Sequence, residues 1–308
     1  MIDQGSRYFK QVQLLLRVLP FVTEESCFAV KGGTAINLFV RNLPRLSVDI
    51  DLVYVPIEPR ERSLSEMDAA LRRMADRMEK MIAGLRVVPS HMHGSKIVSK
   101  LMVDLNGVRV KVEANPVLRG LVNVPELLPV KERVAEEFGF AETWIAPFTD
   151  LYGGKICAAL DRQHPRDLFD VGTLLRHEGL TPDLIDVFLV YVISHPRPIA
   201  ELLRPNFKKL SGVYMREFAG MTEETCELET LIETRLHLVD LLGKGLTENH
   251  KNFLRSFKQG EPQWELLKTP IAPKLPAVQW KLKNIQNMQV AKRHSALKKL
   301  ERVLEGLG

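Results

Sequence analysis

The chain has 308 residues, 45% of them hydrophobic and 26% charged, which excludes a wholly disordered chain and leaves room for two domains. The longest purely apolar run, Val187 to Ile193, is far too short to span a bilayer. Met1 to Gly5 lack the basic-then-apolar order of a leader, and the three cysteines form no Cys-x-x-Cys pair, so a protein of the reducing cytoplasm with no membrane partner is expected. The net charge of +5 is uneven, since Lys251 to Gly308 hold 12 Lys and Arg against 4 Asp and Glu. Such an end suits a polyanionic partner, or is simply a solvated helical surface.

In chain order, Tyr8, Val12, Leu15, Leu16 and Leu19 recur at helical spacing and predict an amphipathic helix over 6–22. Phe28 to Val30 reads as a short buried strand, broken by Gly32-Gly33, with a helix starting at Thr34. From Ser47 to Val55 the residues alternate. Val48, Ile50, Leu52 and Tyr54 lie on one side, Asp49, Asp51 and Val53 on the other, which predicts a strand with an acidic face. A helix is expected over 64–85, with Leu71, Met74, Met78 and Met81 inward, then strands at 86–90, 96–104 and 108–113. Asn106-Gly107 between the last two is a hairpin signal. Beyond about residue 145 the pattern turns helical, at 149–162, 166–177, 182–193, 223–243 and 248–257. Pro262, Pro270, Pro273 and Pro276 make 260–282 look like an extended linker before a last basic helix over 283–305.

Chemistry concentrates in two places. Gly32 and Gly33, between a strand and a helix, let the backbone turn tightly against a ligand. The amides at the helix start favour phosphate, and the Thr34 hydroxyl can add a hydrogen bond. Asp49 and Asp51, two apart on a strand, point the same way and suit a hard divalent cation such as Mg²⁺. Taken alone, Gly-Gly is a turn and Asp-x-Asp a solvated strand face. Glu113 closes the alternating run from Val108 and is either a third carboxylate beside the pair or an exposed strand-end charge. In the second place Lys155 and Arg162 sit seven apart, two turns along one helical face, with small Ala158 and Ala159 between. Pro165 opens the next helix, whose first turns carry Arg166, Asp167 and Asp170. The two acids there can cap that helix, whereas a lysine placed among Leu151, Ala158 and Ala159 asks for a partner.

Lys31-Gly32-Gly33-Thr34-Ala35, then Arg45-Leu46-Ser47-Val48-Asp49-Ile50-Asp51-Leu52, then Lys155 to Arg162 and Arg166 to Asp170, resemble in order the motifs of the AbiEii/AbiGii toxin family of nucleotidyltransferases. That family includes the MenT toxins and belongs to the DNA-polymerase-β-like superfamily; the likeness spans roughly residues 28–175. It implies an α+β fold, with a polymerase-β-like nucleotidyltransferase core and mixed β-sheet over 1–145. A mainly helical C-terminal domain over 146–308 would complete the active site and carry the basic segment. It implies an NTP donor, Mg²⁺ and nucleotide transfer to RNA, in relatives the tRNA 3′ end. An AbiEi-type antitoxin would be its partner in toxin–antitoxin or abortive-infection systems.

By motif position Gly32, Gly33, Thr34, Lys155, Arg166 and Asp167 would bind the nucleotide, and Asp49, Asp51 and Glu113 the metal. Asp49, Asp51, Lys155 and Asp170 would be catalytic. Lys155 would neutralise phosphate charge, and Asp167 or Asp170 would orient Lys155, Arg166 or the acceptor. Two alternatives stay open: transfer to a protein hydroxyl or small molecule, and a nucleotide-binding module without turnover.

Overall fold

The computed structural model describes residues 5–223 and 225–307. Met1 to Gln4, on which the reading of the leader rests, lie outside the described residues, as do Glu224 and Gly308. The chain divides into two compact units, Met1–Leu151 with Gly220–Thr225, and Tyr152–Ala219 with Cys226–Gly308. Among the described residues no helix is long and apolar enough to cross a membrane.

The first unit is built on seven strands: β1 (Phe28–Lys31), β2 (Asp49–Tyr54), β3 (Leu85–His91), β4 (Val98–Leu105), β5 (Val108–Ala114), β6 (Glu126–Pro129) and β7 (Glu142–Ile145). They form one mixed sheet in the order β3-β4-β5-β2-β1-β7-β6. β2 runs parallel to β5 and antiparallel to β1, and β1 runs parallel to β7. Asn106 and Gly107 take φ of 53° and 81°, the two positive values of a type I′ turn, and fix the β4–β5 register.

Helix α1 (Arg7–Thr23) buries Val12, Leu15, Leu16 and Leu19, the stripe its spacing predicts. A three-residue α2 (Gly32–Thr34) runs into a π-helical turn, Ala35–Val40. Helix α3 (Arg60–Met81) starts and ends four residues earlier than expected. Met81, assigned to its inner stripe, is 73% exposed because the helix stops there and Ile82 turns inward. Glu25, just past α1, is 5% exposed and accepts from Arg73 and Arg77 of α3, each at 2.7 Å, tying the two helices together. Strand β6, helix α4 (Glu132–Phe138) and β7 have no counterpart among the sequence expectations.

The second unit begins within α5 (Phe148–Asp161) and continues through α6 (Pro165–His177), α7 (Pro182–Ser194), α8 (Ile199–Leu203) and α9 (Ser211–Glu217). Then come α10 (Leu228–Gly245), α11 (Glu248–Gln259), α12 (Pro276–Gln286) and α13 (Val290–Glu305). Three expectations fail here. The helix predicted from 223 starts at Leu228. Before it, Met221 accepts from Leu46 N at 2.8 Å and Thr222 bridges to Arg45, so this segment belongs to the first unit.

The proline-rich 260–282 is no extended linker either. It folds into 3₁₀ turns at Trp264–Leu266 and Ala272–Lys274 with Leu267, Ala272, Leu275 and Val278 buried, and Pro276 opens α12. Proline fixes φ near a helical value, so it starts helices as readily as it stops them. Finally, the last basic helix is two helices, broken between Asn287 and Gln289.

Replacing Glu25 by Gln leaves two guanidinium groups facing a neutral amide. Urea unfolding is expected to lose about 1.5–3 kcal/mol, and an unchanged midpoint would mean the Glu25 ion pairs carry no stability.

Candidate active site

At the end of β1 the chain turns through Gly32, whose φ is +72°. A Cβ there would lie 2.7 Å from Asp51 Oδ2, and one on Gly33 would lie 2.8 Å from Arg45 Nη2 and 2.9 Å from Ser47 Oγ. The two glycines are therefore pressed between the carboxylate and a buried arginine, and Gly32 also needs the left-handed backbone. Arg45, 1% exposed, donates from Nη1 to the Leu46 carbonyl at 2.9 Å. The Thr34 hydroxyl is committed inside the protein, to the Asp49 carbonyl at 2.5 Å and Ser47 Oγ at 3.1 Å. What it does is hold the turn onto β2.

Strand registers line up the charges on one sheet face. Lys31 pairs with Asp51, Asp51 with Glu113, and Glu113 with Lys100, a row across β1, β2, β5 and β4. Asp49 stands opposite Lys111 in the next row. The alternate residues Ile50, Leu52, Val110 and Val112 are buried on the other face. Glu113 is engaged by Lys111 at 2.9 Å and Lys100 at 3.4 Å. Its partial burial opposes ionisation, but the two lysines outweigh that and hold its pKa below the usual value. Burial likewise opposes the charge on Lys111, yet its bond to Glu113 and the charges of Asp49, Glu113 and Asp51 raise its pKa.

Among the described residues no group of three or more His, Cys, Asp or Glu is arranged to hold a metal ion. The expected trio is thus two aspartates plus a lysine-bound Glu113. The two half-buried Asp side chains beside a turn that a Cβ would fill do fit a hard divalent cation whose other ligands are waters or phosphate oxygens.

The second set of residues meets within the helical unit. Lys155, on α5, is 6% exposed, and its Nζ lies 2.9 Å from Asp167 Oδ1 and 3.0 Å from Asp170 Oδ2. Arg162, seven residues on and just past the end of α5, grips Asp167 with Nε at 2.5 Å and Nη2 at 2.9 Å. Burial penalises the charge on Asp167, but Lys155 and Arg162 overcome it and drive its pKa far below the usual carboxylate range. Arg166 Nη2 lies 3.8 Å from Glu217 Oε2. His164 caps α6 by accepting from Arg166 N at 3.1 Å, and its other ring nitrogen is 3.0 Å from Glu217. Burial and Arg166 lower its pKa, which fits a neutral ring that accepts at Nδ1 and donates at Nε2. Gly153 brings α5 close to α7, since a Cβ there would meet Tyr191 at 3.0 Å.

Lys100 and Lys111 are the residues sequence reasoning passed over. Their signal was parity: Lys111 shares a strand face with Glu113, two residues on.

Because the folded pKa of Asp167 is depressed, its contribution to stability is fully present above the unfolded value of about 4 and is lost as pH falls below it. The unfolding midpoint should hold from neutral pH to about 5 and drop below about 4. Asp167→Asn should cost about 3–5 kcal/mol at neutral pH and flatten that acid limb. An acid limb identical to wild type would contradict the assignment.

No curated protein sequence matches the chain. Among solved structures, the nucleotidyltransferase toxin MenT4 of Mycobacterium tuberculosis H37Rv superposes with a TM-score of 0.54 at 12% identity, covering 99% of this chain and 94% of that one. It shares the fold. Terminal uridylyl transferase 4 of Trypanosoma brucei, with bound dUTP, also matches at 12% identity over 97% of this chain and 93% of that one. Its TM-score is 0.31, too low to support an argument. The family model described as "Nucleotidyl transferase AbiEii toxin, Type IV TA system" matches residues 13–284. The chain therefore belongs to the AbiEii family of nucleotidyltransferase toxins of type IV toxin–antitoxin systems.

Proposed function

We propose that this enzyme transfers a nucleotide from an NTP to an RNA acceptor, the tRNA 3′ end, with Mg²⁺, in the cytoplasm, and that an AbiEi-type antitoxin restrains it. The observation that carries the reading is the Asp49–Asp51 pair on one face of β2, packed against the Gly32 turn, in a chain of this family. Bound to Asp49 and Asp51, the metal would supply charge neutralisation for the triphosphate and the attacking oxygen. The acceptor hydroxyl attacks the α-phosphate and gives its proton to solvent water, a new phosphodiester forms, and the bond to pyrophosphate breaks in line. The chain's contribution is positioning. Backbone amides at Gly32 and Gly33 face the phosphates, Thr34 anchors that turn to β2, and Lys111 with Lys100 keeps Glu113 aligned beside the pair.

In the helical domain over 146–308, Lys155 uses two of its three N–H donors on Asp167 and Asp170. The third is assigned to a donor phosphate oxygen, with Asp170 fixing its direction and Arg166 reaching the nucleotide.

Labelled NTPs, Mg²⁺ and total RNA incubated with the purified protein test the reading. Label should enter RNA at its 3′ end, and Asp51→Asn should cut the rate by at least about 10²–10³ while the fold survives, the scale of losing one charge-stabilising group. Label on protein or on a small molecule would overturn the acceptor; unconsumed NTP would overturn turnover itself.

The basic end is proposed to hold the acceptor. Lys292, Lys299 and Arg302 share a face of the exposed part of α13, while Ile285, Leu300 and Leu304 are buried. Lys281 is not part of that surface: it donates to the carbonyls of His195 and Arg197 at the end of α7, and burial lowers its pKa to about 8. Lys299 is shared with Glu201 at 2.8 Å. Replacing Lys292, Lys299 and Arg302 together by Ala should weaken RNA binding and flatten its salt dependence by roughly 2–3 units in log–log slope. Unchanged affinity and slope in the folded variant would reject this role.

A further inference from the structure

Arg119 lies in the loop that follows β5. This loop continues beside β2: Asn115 N donates to the Leu52 carbonyl at 3.4 Å and Gly120 N to the Tyr54 carbonyl at 2.8 Å. Asn115 Oδ1 closes the turn between them by accepting from Val117 N and Leu118 N, at 2.8 and 2.9 Å. The arginine so placed is 6% exposed. Its Nε and Nη1 are buried, and none of the described residues offers either an acceptor. Other buried arginines keep at least one acceptor, although Arg235 Nε also lacks one. Arg45 donates to the Leu46 carbonyl, and Arg235 donates to Gln163 Oε1 and the Lys208 carbonyl, both at 2.9 Å. A guanidinium with dry, unpaired N–H groups is costly to fold around, so a partner of opposite charge is called for.

The surroundings lack that charge. The charged side chain acting on Arg119 is a second cation, Arg60, which adds to burial in lowering its pKa, with only the Tyr54 phenol acting the other way. Arg60 is the first residue of α3, a helix of 22 residues. Its N-cap is Pro59, which has no side-chain hydrogen bond to give, so the first amides of α3 meet no capping group from that position. A long helix presents partial positive charge at this end. Two arginines, one buried and unpaired, thus act on one another beside a helix start with no side-chain cap; the nearby acids are Glu61 in the first turn and Glu58, which accepts from the Tyr54 hydroxyl at 3.3 Å and pairs with Arg62.

We propose that Arg119, Arg60 and the start of α3 bind a compact phosphate-type oxyanion, at a site separate from Asp49 and Asp51. Tyr54 and Asp49 are at opposite ends of β2, about 17 Å apart at the rise of a strand. Tyr54 also points to the opposite sheet face from the two aspartates. The depth of Arg119 favours a small terminal anion, either inorganic phosphate or a phosphomonoester, over a backbone phosphodiester flanked by two sugars. A guanidinium offers two parallel forks, Nε with Nη2 and Nη1 with Nη2, and one unpaired N–H of Arg119 lies in each, ready for an anion oxygen.

Calorimetric titration of the whole protein with inorganic phosphate, without metal or NTP, tests this. AMP serves as the phosphomonoester. Wild type should bind one phosphate. Arg119→Gln should weaken binding at least about tenfold, as loss of a charge-assisted pair predicts, and Arg60→Gln should weaken it less. Phosphate should raise the wild-type melting temperature and leave that of Arg119→Gln unmoved. If Arg119→Gln does not fold, Arg60→Gln decides the matter, since residue 60 is exposed. AMP binding with the same variant dependence identifies a terminal-phosphate site, and response to phosphate alone identifies a free-anion site. No binding by wild type at millimolar phosphate, or equal affinity in wild type and the folded variants, overturns the proposal.

Discussion

Acidic side chains set side by side on one strand face repel one another, and this sheet answers with cations from the neighbouring strands. Asp51 lies between Lys31 and Glu113 in register, Asp49 opposite Lys111, and Glu113 between Lys100 and Lys111. The parallel pairing of β2 with β5 makes this possible, because partners in register point to the same face. Shift that register by one residue and the lysines would face the hydrophobic side, leaving the acids uncompensated. The Asn106-Gly107 hairpin therefore matters beyond its own turn: it sets β5 against β4, and so places Lys100 opposite Glu113.

The helical unit solves the inverse problem, that of holding a cation where water is scarce. Lys155 is gripped by two carboxylates that are themselves buried, and Arg162 supplies the charge that one cation against two anions lacks. The spacing explains the arrangement. Seven residues bring Arg162 round to the face of Lys155, and Pro165 turns the chain so that α6 delivers Asp167 and Asp170 one turn apart onto them. Tight contact between α5 and α7 at Gly153 fixes the helix that carries the lysine.

What was legible in the sequence was local. The stripe of α1, the acidic alternation of β2 and the Asn106-Gly107 turn each depend on neighbours within a few residues, and each formed where the pattern put it. What was hidden depended on partners far along the chain. β7 is four residues long; it pairs with β6 along its length and joins the sheet where Ile145 meets Val30, a match that no window of sequence contains. The segment at Met221 and Thr222 adds to the first unit only through Leu46 and Arg45. Glu113 stood out as a carboxylate, while its two lysines became visible only with the strand register. The Thr34 hydroxyl pointed to a ligand by its place in the motif, and the fold spends it on the Asp49 carbonyl instead.

The contact between Gly32 and Asp51 makes these two positions a single unit of variation. A side chain at 32 would have to displace the carboxylate 2.7 Å away and also adopt a φ of +72°, a backbone cost of about 1–3 kcal/mol. Shortening residue 51 removes the first obstacle and leaves the second. Substitutions at the two sites should therefore be strongly non-additive, each one's effect depending on which residue occupies the other. The space that a methyl group would need at residue 32 is thus the space that keeps the Asp51 oxygen in place, so drift at the turn is constrained by the acid and drift at the acid by the turn.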